Sequence, residues 1–300
     1  TSMTERYVII FNGEIYNHQE LRQEIERKEG TQVWRGHSDT ETLLRAIDVW
    51  GLESALKRTV GMFALALYDR HRRQLHLARD RMSEKPLYFG IVNHRFLFGS
   101  ELKALRAHPH FSAEIDRQAL GALLRHQYIG GTHTIYKAIS RVPQASVLSL
   151  DCETLSYEIK PYWSLAECAL RGKMAQRHSS DEDALGQFES LMDDAIGLQM
   201  MADVPVGAFL SGGVDSSLIV ALMQKRSTSP VKTFTIGFDD DAFNESSYAH
   251  AVAAHLGTDH TEHIVTAREA LDIIPSLTAI YDEPFADVSQ IPTCLLAKTA

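Results

Sequence analysis

Val204-Pro205-Val206-Gly207-Ala208-Phe209-Leu210, followed by Ser211-Gly212-Gly213-Val214-Asp215-Ser216-Ser217, decides how the second half of this chain is read. An apolar run of strand length enters a glycine pair, and the glycine pair enters an apolar helix over 216–225. Downstream the alternation continues with a strand at 231–238, a helix at 245–256, a strand at 261–265 and a helix at 268–281. Strands alternating with helices predict a parallel α/β sheet, which binds ligands at the carboxyl ends of its strands. Two glycines let the backbone approach an anion without a Cβ in the way, and a helix start offers N–H groups and a favourable dipole. Ser211, Ser216 and Ser217 add hydroxyl donors, and Asp215 is a carboxylate of the kind that holds Mg²⁺. Such a loop suits phosphate or pyrophosphate. It is not a Walker A loop, because no Gly-Lys-Ser/Thr follows, and the Gly-x-Ser-x-Gly spacing of a nucleophile elbow is absent.

Working outward, 300 residues predict about two domains. Hydrophobic content of 44% and charged content of 23% are those of a globular chain with a sizeable core. No apolar run approaches the ~20 residues of a membrane helix, and no signal peptide opens the sequence. Three scattered cysteines exclude a disulfide framework, so the cytoplasm is the expected compartment. The net charge of −9 is unevenly spread. Residues 1–160 carry 22 basic and 19 acidic side chains, whereas 161–300 carry 8 and 20. The sign change marks two units and argues against nucleic acid as a partner of the second half.

The first half has another rhythm. Strand 7–11 ends at Asn12-Gly13, and Asn17 is placed to cap a helix over 18–28. A second helix follows at 40–50, then strand-length runs at 62–68, 74–78, 87–92 and 96–98. Asp116 caps a helix to about 126, and runs at 146–150 and 154–159 form a closing hairpin. This is a layered α+β unit. The period is lost from 160 to 180, and the linker is expected at 161–182, between domains at 1–160 and 183–300. A helix capped by Asp181 or Asp183 opens the second domain.

Asn12-Gly13-Glu14-Ile15-Tyr16-Asn17 carries the chemistry of the first half. An amide side chain beside a glycine N–H places two donors near one point, as an oxyanion hole needs. The same Asn-Gly pair also reads as a tight turn. Asp39, in His37-Ser38-Asp39-Thr40-Glu41, could hold a substrate ammonium or act as a helix N-cap. Of the remaining candidates, Asp239-Asp240-Asp241 reads as a solvated turn, and His250, His255, His260 and His263 lack the spacing of a zinc site.

Ser211–Ser217 resembles the pyrophosphate loop of the N-type ATP pyrophosphatases, which activate a carboxyl or carbonyl oxygen as an adenylate. Thr233-Phe234-Thr235-Ile236-Gly237-Phe238 resembles that family's second strand, so the resemblance sets Ile236 and Leu210 against the adenine. Asn12-Gly13-Glu14, His37 to Glu41, Arg79-Asp80-Arg81, Lys85 to Tyr88 and Ser100 to Lys103 follow one another as in the class II, N-terminal-nucleophile glutamine amidotransferases. Asp282-Glu283-Pro284-Phe285-Ala286-Asp287 resembles a family segment near the nucleotide site. Taken together, the chain resembles the glutamine-hydrolysing asparagine synthetase family over nearly its whole length.

That resemblance implies an αββα glutaminase layer followed by a parallel-sheet ATP pyrophosphatase domain. It gives Asn12 and Gly13 the oxyanion hole and assigns Glu14 and Asp39 to glutamine. Leu210, Ser211, Gly212, Gly213, Asp215, Ser216, Ser217 and Ile236 go to ATP, and Asp215 to Mg²⁺. The implied reaction is amidation of aspartate through β-aspartyl-AMP, with glutamine, aspartate and ATP as small-molecule partners. An alternative acceptor such as a sugar uronate, or a module that binds without turning over, stays open, as does a homodimer. The family's nucleophilic cysteine and its carboxylate-clamping arginine have no counterpart in these 300 residues. The chain thus reads as the middle of a longer protein, and is not expected to hydrolyse glutamine as it stands. Met82-Ser83-Glu84 stands where the family usually has a glycine.

Overall fold

The computed structural model describes residues 1–175, 180–239 and 244–300. In chain order the first elements are β1 (Tyr7–Ile15), α1 (His18–Glu29), α2 (Asp39–Trp50), α3 (Leu52–Arg58), β2 (Gly61–Asp69) and β3 (Gln74–Arg79). They continue with β4 (Tyr88–Val92), β5 (Arg95–Gly99), α4 (Leu102–Arg106), α5 (Arg117–His126), β6 (Ile139–Arg141), β7 (Ser146–Asp151), β8 (Tyr157–Pro161) and α6 (Leu165–Met174). After these come α7 (Asp181–Gln199), β9 (Gly207–Phe209), α8 (Val214–Arg226), β10 (Lys232–Phe238), α9 (Ser246–Leu256), β11 (Asp259–Val265), α10 (Ala267–Ile280) and α11 (Gln290–Thr299). The contacts divide the chain into two units: Thr1–Gln176 with Asp282–Ala286, and Arg177–Tyr281 with Asp287–Ala300.

Unit 1 is four layers deep. A five-stranded antiparallel sheet, ordered β1-β2-β3-β7-β8, presents Phe63, Leu65 and Leu67 of β2 to Leu21 and Ile25 of α1 and Leu43 and Ile47 of α2. The pleat turns the intervening Ala64 and Ala66 to the opposite face, where they meet Phe89 of β4 in the sheet β5-β4-β6. That second sheet is covered by Leu102 and Leu105 of α4 and Ala119 of α5. Helix, sheet, sheet, helix is the αββα order that the motif resemblance implies. Leu43 is fully buried, and its truncation to alanine would cost about 2–5 kcal/mol.

Unit 2 contains a three-stranded sheet ordered β11-β10-β9, with both neighbours parallel to β10. Val220 of α8 and Ala249 and Ala253 of α9 pack with Leu210, while Ile196 of α7 packs with Leu222 and Met223 of α8. The alternation read from sequence is therefore the parallel α/β sheet expected.

Several local expectations are corrected. Asn17 does not cap α1: its amide donates to Arg58 O at 3.0 Å and accepts from Val60 N at 2.8 Å, pinning the entry to β2. The cap of α7 is Ser180, whose hydroxyl accepts from Asp183 N. The strand expected over 204–210 is reduced to β9, because β10 pairs with Gly207–Phe209 alone and Val204 is exposed. Part of the expected linker is structured: Tyr162 is buried with its hydroxyl donating to Arg79 O, and α6 follows. The rest of that expectation falls partly outside the described residues, as do Asp240 and Asp241. No helix among the described residues is long and apolar enough to cross a membrane.

Candidate functional site

Asn12-Gly13 is not a turn. It lies inside β1, with Asn12 opposite Ala64, Gly13 opposite Phe63 and Glu14 opposite Met62 of β2. A Cβ on Gly13 would sit 2.2 Å from Met62 O and 2.6 Å from Phe63 Cα, at a φ of +156°. Only glycine lets the two strands approach so closely here. The Asn12 side chain is exposed, and its Nδ2 donates to Ser100 Oγ at 3.0 Å.

Asp39 is brought to the end of the same strand. Ser38 caps α2 by accepting from Thr40 N, which leaves the Asp39 carboxylate to accept from Ile15 N at 2.8 Å. Its other oxygen accepts from the Thr40 hydroxyl at 3.2 Å. Asn12, Gly13, Glu14 and Asp39 therefore share one end of one strand.

Behind them Asp80, fully buried, organises the turn after β3. It accepts from Met82 N, Glu84 N, Lys85 N and Phe63 N at 2.9–3.2 Å. Arg79 completes this frame by donating to Lys85 O, Ser83 O and Val142 O. Ser83, in the middle of Met82-Ser83-Glu84, takes a left-handed backbone, φ +66°. A residue with a side chain thus occupies a conformation that favours glycine. Burial and then the charge of Asp80 raise the Glu84 carboxyl above its usual range. Burial, then Glu84, Glu14 and Asp80, push the Tyr16 phenol up to about 12. Sequence reasoning singled out Arg79 to Arg81 only as part of the resemblance; the scaffold role of Asp80 needed the fold.

In unit 2, Ser211–Ser217 joins β9 to the first turn of α8 at the carboxyl end of a parallel strand. Gly212 has φ +77°, and a Cβ there would lie 2.6 Å from Ala249 N. Gly213 has an ordinary φ of −72°, and a Cβ would meet nothing closer than Ser211 Oγ at 3.4 Å. The Ser211 and Ser216 hydroxyls bond to each other at 2.9 Å, Ser211 N donates to Ser216 Oγ, and Ser216 Oγ donates to Gly213 O. Ser217 Oγ is buried and has no hydrogen-bond partner. Asp215 is exposed on the first turn of α8.

Leu210 is a core residue, 1% exposed among Val220, Ala249 and Ala253, while Ile236 of β10 is half-buried. Among the described residues no group of three or more His, Cys, Asp or Glu side chains could hold a metal ion. Asp215 is the one carboxylate of the Ser211–Ser217 loop.

Residues 1–163 match the family model of the glutamine amidotransferase domain, and 187–300 match that of asparagine synthase. The glutamine-hydrolyzing asparagine synthetase 1 of Bacillus subtilis (strain 168) is 33% identical over 297 residues, covering 99% of this chain and 45% of the relative. A putative glutamine-hydrolyzing asparagine synthetase of Mycobacterium bovis is 33% identical over 299 residues, with the same coverage. A second putative enzyme of that name, from Methanocaldococcus jannaschii, is 30% identical over 298 residues and is covered over 55% of its length. The chain spans about half the length of these curated relatives. It belongs to the glutamine amidotransferase family, with an asparagine synthase region following the amidotransferase domain.

Proposed function

We propose that this member of the glutamine amidotransferase family is part of an enzyme that moves ammonia from glutamine to aspartate at the expense of ATP, forming asparagine. The observation that carries this reading is the presence in one chain of two sites. One is a strand-borne Asn12-Gly13 pair beside Asp39; the other is a Ser211–Ser217 loop at the end of a parallel strand. With ATP and glutamine as substrates, the cytoplasm is the fitting compartment.

In unit 1, the Asn12 amide and the Gly13 N–H stabilise the oxyanion formed when a nucleophile supplied by the full-length protein adds to the glutamine side-chain carbonyl. Preorganised donors of this kind act without reorganisation at the moment of reaction, and loss of one typically costs about 10²–10³ in rate. Glu14 and Asp39 face the amino-acid end of glutamine, Asp39 through its α-ammonium. Ammonia and glutamate are the products.

In unit 2, the backbone of Ser211–Ser217 and its hydroxyls receive the phosphates of ATP at the start of α8. Ser217, buried without a partner, is free to turn its hydroxyl to a phosphate oxygen. Leu210 and Ile236 bound the adenine. Because the Leu210 side chain belongs to the core, its contribution comes from its backbone. Asp215 would hold Mg²⁺ with the phosphates, and the ion when bound neutralises their charge. The β-carboxylate of aspartate attacks the α-phosphorus and pyrophosphate leaves. Ammonia then displaces AMP from β-aspartyl-AMP.

The test is ATP–pyrophosphate exchange by the full-length protein with aspartate or other carboxylates, followed by product analysis with glutamine. Aspartate-dependent exchange and asparagine formation are expected. Exchange that requires a sugar uronate or another acceptor instead would move the assignment to that acceptor, and no exchange with any carboxylate would leave a binding module.

A further inference from the structure

The segment Asp282–Ala286 belongs by its contacts to unit 1, although the chain on either side of it belongs to unit 2. It is anchored at Asp282, Glu283 and Ala286. The Asp282 carboxylate accepts from Leu102 N at 2.5 Å and Lys103 N at 3.2 Å, across 180 and 179 positions of sequence. Glu283 accepts from Ile135 N at 2.6 Å and pairs with the Arg141 guanidinium. Ala286 N donates to Gln127 O at 2.8 Å. Asp282 is thus the cap that α4 lacks in its own sequence, since Glu101 at the N-cap position makes no side-chain cap bond.

The residue before Glu101 is Ser100, whose hydroxyl receives the Asn12 amide. A carboxamide carries two N–H donors. Committing one to Ser100 fixes the plane of the group and aims the second. Removing that acceptor lets the amide rotate, and an oxyanion donor works only when its direction is set beforehand.

We propose that Ser100 is a positioning residue for the Asn12 amide, and that Asp282 fixes the turn carrying Ser100. The order of the oxyanion site then depends on a segment drawn from the asparagine synthase region. This rests on the reading of Asn12 as an oxyanion donor. Asn12 is exposed and Ser100 half-buried, so their bond adds little to stability. Loss of Ser100 should therefore show in turnover and not in melting.

The experiment compares Ser100→Ala, Ser100→Thr, Asp282→Ala and Asn12→Ala in the full-length protein. Glutamine hydrolysis gives kcat and KM, and hydrogen exchange reports on the peptide spanning 100–105. Ser100→Ala should lower kcat about tenfold, short of the about 10²–10³ of a lost donor, with KM and melting temperature little changed. Ser100→Thr, which keeps the hydroxyl, should recover most of it. Asp282→Ala should speed exchange at Leu102 and Lys103 and lower kcat in the same direction. If Asn12→Ala loses turnover while Ser100→Ala keeps it, or if threonine is no better than alanine, the positioning role is overturned and the oxyanion reading survives. Unchanged exchange and kcat in Asp282→Ala overturn the link to the segment. Full turnover by Asn12→Ala, or none by the wild type, removes both the oxyanion reading and this proposal.

Discussion

Gly13 in unit 1 and Gly212-Gly213 in unit 2 serve sites of opposite construction. Gly13 is a rung inside an antiparallel pair, and the proposed oxyanion site is part of the sheet that makes the core. The two glycines of unit 2 stand in an open loop at a helix start, and one of them is constrained while its neighbour is not. Where a site rests on a glycine built into a sheet, that glycine cannot be changed without altering site geometry and folding stability together. Where it is built on a loop, one residue can carry the fold and the next the ligand.

The largest effect is expected at Gly13→Ala. The added Cβ falls 2.2 Å from Met62 O and 2.8 Å from the Phe63 Cβ, so β1 and β2 must separate. Overpacking costs about 1–3 kcal/mol on its own, and the strained φ adds to it. Chemical denaturation should show a loss of about 3 kcal/mol or more in unit 1. A stable Gly13→Ala protein would mean the strands are less tightly paired than the register shows.

Gly212→Ala comes next. Its φ of +77° costs about 1–2 kcal/mol for a residue with a Cβ, and the contact with the backbone of α9 raises the figure to about 2–3. Gly213→Ala is the control, with stability expected within about 0.5 kcal/mol of wild type. Calorimetry with ATP and pyrophosphate then separates the two roles. A drop in affinity for Gly213→Ala at unchanged stability would show that the phosphates approach the backbone at this residue. Unchanged affinity would return Gly213 to an ordinary turn residue. From sequence alone the two glycines look equivalent; the approach of α9 to one of them distinguishes them.

The legibility of the molecule follows the same division. The strand–loop–helix around Ser211–Ser217 could be read because its determinants are consecutive. Asp116 could be recognised as a cap for the same reason, its carboxylate accepting from Gln118 N and Ala119 N. Asn12-Gly13 could not be settled, because the pair's local preference is for a turn and only the pairing with Ala64 and Phe63 makes it a strand. Asn17 and Asp282 each satisfy backbone groups remote in sequence, and no local pattern records such bonds. Helix α4, at five residues, is too short to show a period.

Acid tests the core of unit 1 directly. Asp69 is 2% exposed; burial works against its charged form, but the Arg6 guanidinium and the amides of Arg72 and His71 more than offset this and hold its carboxyl below the usual range. Its stabilising effect is complete above the unfolded value of about 3.9 and is lost as pH falls through the lower folded value. Burial above all lowers the His76 imidazole. The unfolded chain therefore takes up the proton first, and stability declines as pH falls below about 6.5. Unit 1 should lose stability in two stages on acidification, and Asp69→Asn should remove the lower stage at a cost of about 2 kcal/mol at neutral pH. Melting curves from pH 8 to 3 that show no unit 1 decline near pH 6 would contradict the His76 assignment.

Apart from the Gly213→Ala control, Ser83 carries the smallest expected effect, and it offers the most direct comparison with Gly13 and Gly212. All three have positive φ, but only Ser83 has a side chain. The left-handed region costs a residue with a Cβ about 1–2 kcal/mol. The Asp80 carboxylate bonded to Met82 N, Glu84 N and Lys85 N, and the Arg79 guanidinium on Ser83 O, hold the turn in that shape regardless of the residue at its apex. Glycine relieves the strain but loses more freedom on folding, by about 0.5–1 kcal/mol. Ser83→Gly should therefore be more stable than wild type by about 0.5–1 kcal/mol, opposite in sign to any substitution at Gly13 or Gly212. A rise in melting temperature of a few degrees would confirm that the turn is imposed by Asp80 and Arg79. A fall would mean that the serine itself sets the conformation.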